Sequence, residues 1–256
     1  MDRTNSSSPQ GSLASHLAEA TPSDGAGEQL GQRGDDYVGE RPSEHVERTG
    51  RARPRSEGAA YTLGVIGGSG LYDVPGLEDV EELTIETPFG APSGRVVSGT
   101  LRDEDGHAVR LLFLPRHGRG HEHSPSRVNY RANVCAMKIA GATHLLGVSA
   151  VGSMLEDIVP GDLVVVDQFI DLTKQRASTF FDDGIAAHVS FAEPVCKELA
   201  LALANAAEYA VGQAHAPSPR APRVHRSGTY VCMEGPQFST RAESLVYRSW
   251  NVAVIG

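Results

Sequence analysis

The stretch Leu112-Phe113-Leu114-Pro115-Arg116-His117-Gly118-Arg119-Gly120-His121 decides how this chain is read. Val109 to Leu114 is apolar apart from Arg110, the pattern of a buried strand. Pro115 breaks the run, and the residues just after it bring Arg116, His117, Arg119 and His121. A strand end carrying cations and glycines is where an open α/β sheet holds an anionic ligand. The planar guanidinium of Arg116 offers a phosphate two parallel charge-assisted hydrogen bonds. His117 adds a group that titrates near neutral pH. Taken alone, the same residues also read as a solvated basic turn, so the neighbouring stretches must decide.

Working outward, Leu63-Gly64-Val65-Ile66 is a short apolar strand that runs into Gly67-Gly68-Ser69-Gly70-Leu71. The third glycine of a dinucleotide fingerprint is missing, and so is the Gly-Lys-Ser/Thr of a P-loop. What is left is a tight turn whose amides and Ser69 hydroxyl can reach a small anion, or a plain strand-ending turn. Arg95–Leu101 and His107–Leu114 flank the polar turn 102–106 and predict an antiparallel hairpin. Residues 71–90 read as irregular connection. Ser124-Pro125-Ser126 starts a helix that Gly141 ends, with Val128, Ala132, Cys135, Ala136 and Ile139 on its buried face. Thr143–Val148 is a further strand, ending in Ser149-Ala150-Val151-Gly152-Ser153. Several small-residue loops at one sheet edge make a shared pocket.

Farther along, Leu163–Val166 reads as a buried strand, and residues 172–190 as a polar loop in which Arg176 has no readable role. Ala192–Ala210 is helical, and Gly228–Met233 is a strand. Thr240 and Glu243 have capping-box spacing for a helix reaching about Trp250, and Val252–Ile255 is a last strand. This succession is α/β, a mixed central β-sheet flanked by helices.

Composition narrows the function. The formal net charge of −9 argues against general nucleic-acid binding and makes the Arg/His cluster a local anion site. No apolar run approaches the roughly 18 residues of a membrane span. Cys135, Cys196 and Cys232 lack metal-site spacing and read as reduced core thiols of a cytoplasmic protein; no metal is expected. Residues 1–60 are rich in Ser, Gly, Glu, Arg and Pro and read as a disordered polar tail, leaving 61–256 as one domain.

Seven stretches in order carry a resemblance: Gly67–Leu71, Thr87-Pro88-Phe89-Gly90, Arg116-His117-Gly118, Pro125-Ser126-x-Val128-Asn129-Tyr130, Pro160-Gly161-Asp162, Asp167-Gln168-Phe169-Ile170-Asp171 and Glu234-Gly235-Pro236-x-Phe238-Ser239. Their order and spacing resemble the trimeric purine nucleoside phosphorylase family, on its methylthioadenosine phosphorylase branch. The resemblance implies a single-domain phosphorylase/hydrolase-like fold in a homotrimer. It implies phosphorolysis of S-methyl-5′-thioadenosine to adenine and 5-methylthioribose 1-phosphate, with inorganic phosphate as co-substrate and no cofactor. By the family's pattern Ser69, Arg116, His117, Ser149 and Ala150 hold phosphate. His121 and Phe238 contact the nucleoside, and Ser239 bears on specificity. Ser69 and Ser149 stand where threonine is common, and Gln237 where many members carry arginine.

The resemblance also implies elements after Gly256, including the leaving-group acid, so no catalytic residue is assigned within the chain. Alternatives are a purine nucleoside or methylthioinosine phosphorylase, or an inactive remnant that binds phosphate or nucleoside.

Overall fold

The computed structural model describes residues 61–68, 74–102, 107–182, 184–213 and 220–256. The expected tail at 1–60 and the turn residue Ser69 lie outside them.

Strand β1 (Thr62–Gly67) is an inner strand of a five-stranded sheet with β2 (Glu78–Leu83), β3 (Val96–Arg102), β4 (Ala108–Pro115) and β5 (His144–Gly147), in the order β2-β3-β4-β1-β5. It runs parallel to both neighbours, with Val65 beside Phe113 on one side and Leu146 on the other. Parallel strands buried on both faces need continuous apolar sequence, and β4 has it. Leu112 and Leu114 pack with Val96 and Met137 on one face; Leu111 and Phe113 pack with Val65 and Val97 on the other. Full burial of such a side chain stabilises by roughly 1.5–3 kcal/mol. The hairpin is present: β3 and β4 pair antiparallel from Val97↔Phe113 to Arg102↔Ala108.

Helix α1 (Tyr130–Ile139) closes one face of this sheet and buries Ala132, Asn133, Ala136 and Met137. It starts later than the sequence suggests, because Pro125–Arg127 form a separate 3-10 turn and Asn129 is the N-cap, accepting from the Ala132 amide. Gly141, at φ +96°, follows as the left-handed C′ residue.

A second, four-stranded sheet has the order β6-β11-β10-β8, from β6 (Gly152–Ser153), β11 (Val254–Ile255), β10 (Thr229–Cys232) and β8 (Gln168–Asp171). Strands β7 (Leu163–Val164) and β9 (Val224–His225) pair separately. Residues 148–151 link β5 of the first sheet to β6 of the second. Helix α2 (Lys197–Gln213) is exposed along most of its length, and α3 (Arg241–Ser249) begins at the expected Thr240/Glu243 capping box.

Four readings are corrected. Residues 71–90 are not all connection, since the charged run Glu78–Leu83 forms edge strand β2, tied by Arg95 to Glu82 (3.1 Å) and Arg102 to Glu78 (3.2 Å). The 163–166 strand shrinks to two residues, and Leu163 is 46% exposed. Helix α2 starts at Lys197, past Pro194, and contains Gly212. Cys196 is exposed rather than in a core, whereas Cys135 and Cys232 are half-buried; all three are free. Among the described residues, no helix is long and apolar enough to cross a membrane.

Candidate active site

The ends of β1, β4 and β5 open into a cleft of about 960 Å³ that extends under β8 and β10. Its polar wall includes Arg116, Tyr130, Ser149, Thr173, Arg176 and Cys232. Arg116 is placed by the sheet itself: its amide donates to Gly67 O at 2.9 Å, one step past the last β1–β4 pair. Its Nε–H donates to His117 Nε2 at 3.1 Å, while His117 Nδ1 lies 2.8 Å from His123 O. A carbonyl only accepts, so Nδ1 carries the proton and Nε2 offers its lone pair to Arg116. The ring is therefore neutral. Burial pushes the His117 pKa below its ordinary value, against the His123 carbonyl that raises it, and the Arg116 charge lowers it further.

His121 stacks on His117 at 5.4 Å between ring centres and holds φ +55°, a left-handed backbone uncommon outside glycine. Arg119 leaves the cluster, because its guanidinium pairs with Glu82 at the sheet edge. Ser149 and Ala150 are exposed just past β5, where the Val148 amide donates to Ile66 O at 3.0 Å and keeps the loop beside the end of β1. Ser149 lines the cleft. Phe238 does not; it stands 88% exposed before α3, and Ser239 Oγ lies 2.8 Å from Ser244 Oγ. The structure thus gathers Arg116, His117, His121 and Ser149 around one strand edge and leaves Phe238 and Ser239 on a separate segment.

Two groups were not legible as site residues. Glu234, just past β10, accepts from Ser126 Oγ at 2.6 Å, from the Gln175 amide at 3.1 Å and from the Lys174 amide. Those bonds, Ser126 first, hold its pKa down at about 2 from 4.5. Arg176 lies over the Tyr130 ring at 5.1 Å and donates to Met233 O and Glu234 O at 3.2 and 3.1 Å. Their sequence signal is weak because most partners are backbone groups more than 50 residues away.

The motifs acquire physical roles. Asn129 caps α1 and donates to Phe89 O at 2.7 Å, tying the Thr87–Gly90 turn to the helix. Asp162, its side chain 1% exposed, accepts from Arg220 at 2.8 Å, His225 Nε2 at 3.0 Å and the Arg223 and Val159 amides. The His225 bond is the largest cause of a pKa far below the carboxylate range. Asp162 is a saturated structural anchor for the 159–163 turn rather than an acid or base.

An arginine at a strand end, small-residue loops beside it and a roomy cleft are the setting in which an α/β sheet holds a small anionic ligand. Residues 62–256 match the family model described as the Phosphorylase superfamily, and the chain belongs to that superfamily. It is 56% identical over 195 residues to the S-methyl-5′-thioadenosine phosphorylase of Geobacter sulfurreducens, covering 76% of this chain and 63% of that protein. It is 50% identical over 186 residues to the enzyme of that name from Hyperthermus butylicus, covering 73% and 62%. Among solved structures, a methylthioadenosine phosphorylase from an Antarctic soil metagenomic library superimposes with TM-score 0.68 at 46% identity, covering 78% of this chain and 65% of that one. The Schistosoma mansoni methylthioadenosine phosphorylase in complex with adenine gives TM-score 0.66 at 38% identity, covering 77% of this chain and 73% of that one. The chain thus spans somewhat under two thirds of the length of the relatives it matches first.

Proposed function

We propose that the cleft carries out phosphorolysis of S-methyl-5′-thioadenosine, giving adenine and 5-methylthioribose 1-phosphate, and that inorganic phosphate is the only other reactant. The observation that carries this reading is Arg116, fixed by the β1–β4 ladder and by His117, and lining one cleft with Ser149. The relatives that share this sequence are named for the same reaction.

In this reading Arg116, Ser69, Ser149 and the Ala150 amide hold phosphate beneath C1′ of the nucleoside. A phosphate oxygen forms the new bond to C1′ as the C1′–N9 bond breaks, and the electron pair leaves with the purine. The anion offsets the positive charge that develops on the sugar, so its placement supplies much of the catalysis. Once Arg116 turns to the anion, His117 Nε2 is a further phosphate ligand by accepting from the hydroxyl of a monoprotonated phosphate. His121 and Phe238 bound the nucleoside, and Ser239 tunes its 5′ side, where a methylthio group favours an apolar wall. Protonation of the departing purine, worth typically about 10²–10⁴-fold, is not assigned to a residue of this chain. The enzyme works as a cytoplasmic homotrimer, with His121 reaching towards a neighbouring subunit's nucleoside; sedimentation gives the mass that decides this.

The direct test is adenine release from methylthioadenosine by the full chain, with and without phosphate. Phosphate-dependent release is expected, and release that ignores phosphate would sink the reading. Arg116→Ala should weaken phosphate binding by about 1.5–3 kcal/mol, the cost of a lost charge-assisted pair. An unchanged phosphate dependence in that variant would remove Arg116 from the site.

A further inference from the structure

Arg176 is a half-buried cation in a loop that shows no role in the sequence. Its side chain is 15% exposed, and its Nε is buried without a hydrogen-bond partner. Keeping a guanidinium out of water is costly unless its contacts are good. Those contacts converge on one place. Nη2 donates to Met233 O and Glu234 O, Nη1 lies 3.5 Å from Cys232 Sγ, and the Glu234 carboxylate is 3.9 Å away. Glu234 answers by accepting from the amides of Lys174 and Gln175, the two residues before Arg176. Each segment thus holds the backbone of the other.

This clasp joins two walls of the cleft, since Thr173, Arg176 and Cys232 all line it. It also ends just before Gly235–Ser239. Phe238 is 88% exposed, so packing does little to fix that segment. Its place is set by the clasp on one side and the α3 cap on the other. We propose that Arg176 is a positioning residue for the nucleoside side of the cleft, clasping the end of β10 so that Phe238 and Ser239 stand where a purine nucleoside needs them. The choice of ligand rests on the phosphorolysis reading; the clasp itself does not.

The test compares wild type, Arg176→Lys and Arg176→Gln as full chains, with Arg248→Ala as a control in an exposed ion pair with Glu156. Lysine keeps the charge but loses the planar group that lies over Tyr130 and the second terminal nitrogen that faces Cys232 Sγ while Nη2 holds both carbonyls, so the methylthioadenosine concentration for half-saturation should rise about tenfold or more. The corresponding phosphate concentration should stay within about twofold, because Arg116 is untouched. Hydrogen exchange should quicken at amides 233–240 and remain unchanged in β1 and β4. A phosphate shift as large as the nucleoside shift, or faster exchange everywhere, would make Arg176 merely structural. Unchanged exchange at 233–240 would remove the clasp. If wild type takes up neither phosphate nor methylthioadenosine, the phosphorolysis reading fails, while the exchange comparison still decides the clasp.

Discussion

Arg116 and Arg176 line the same cleft, yet what stands behind them differs. Behind Arg116 is β4, whose Leu112 and Leu114 are 0% and 1% exposed and pack with Val96 and Met137 on one sheet face, while Leu111 and Phe113 pack with Val65 and Val97 on the other. Behind Arg176 is a segment without helix or strand, secured by Tyr130, two backbone carbonyls and the ionised Glu234. One arginine stands at the end of a strand placed by hydrophobic packing, which neither pH nor salt alters directly. The other is aimed by charge-assisted hydrogen bonds, which both can weaken. The cleft wall proposed to hold the anion therefore stands on an apolar foundation, and the wall proposed to hold the nucleoside depends on ionisation.

The strongest way to break this contrast is to hollow out the apolar foundation. Leu112→Ala removes a fully buried side chain from the Val96–Leu114–Met137 cluster and should cost about 2–5 kcal/mol in denaturant unfolding. That loss should be nearly the same at pH 5 and pH 8, because the cluster contains no titrating group. A loss that varied strongly across that range would mean the sheet is not the apolar unit described above.

The second prediction concerns the polar side. The folded pKa of Glu234 is depressed from 4.5 to about 2, so the stability it contributes is fully present above pH 4.5 and is lost as pH falls towards 2. Glu234→Gln should therefore destabilise the chain most near neutrality, and the gap between variant and wild type should close on acidification. His117 adds to the acid sensitivity of wild type: its depressed pKa means its contribution is present above pH 6.5 and declines below it. A wild-type-to-Gln gap of constant size from pH 7 to pH 3 would show that the ionised carboxylate is not what holds the clasp.

The two sides also differ in how far the sequence reveals them. Strands β1 and β4 announce themselves by apolar runs, interrupted in β4 only by Arg110, and Arg116 by its position at the end of one. Strand β2 does not, because Glu78-Asp79-Val80-Glu81-Glu82 is an edge strand held partly by arginines from its neighbours and has no alternation to read. Strands β7 and β8 are short, and their pairing partners lie about 60 residues away in sequence. Arg176 and Glu234 stay hidden for a related reason: their bonds run mainly to backbone atoms, which every residue has. The local motif Thr240-x-x-Glu243 was readable because both of its partners sit within one helical turn.

That motif gives the smallest expected effect and the sharpest test of the contrast. Thr240 Oγ1 accepts from the Glu243 amide at 3.2 Å, and Glu243 returns the bond to the Thr240 amide at 2.7 Å. Thr240→Ala should cost about 1 kcal/mol, the usual loss for an N-cap hydroxyl. The cap fixes the far end of the segment that carries Phe238 and Ser239, whereas the Arg176–Glu234 clasp fixes its near end. Cap loss frays the first turn of α3 but leaves the carbonyls of Met233 and Glu234 held. Methylthioadenosine affinity should then change by no more than about twofold, well below the effect of Arg176→Lys. If the two variants weakened nucleoside binding equally, the cap end would position Phe238 and Ser239 as strongly as the clasp end does, and the clasp would lose its special standing.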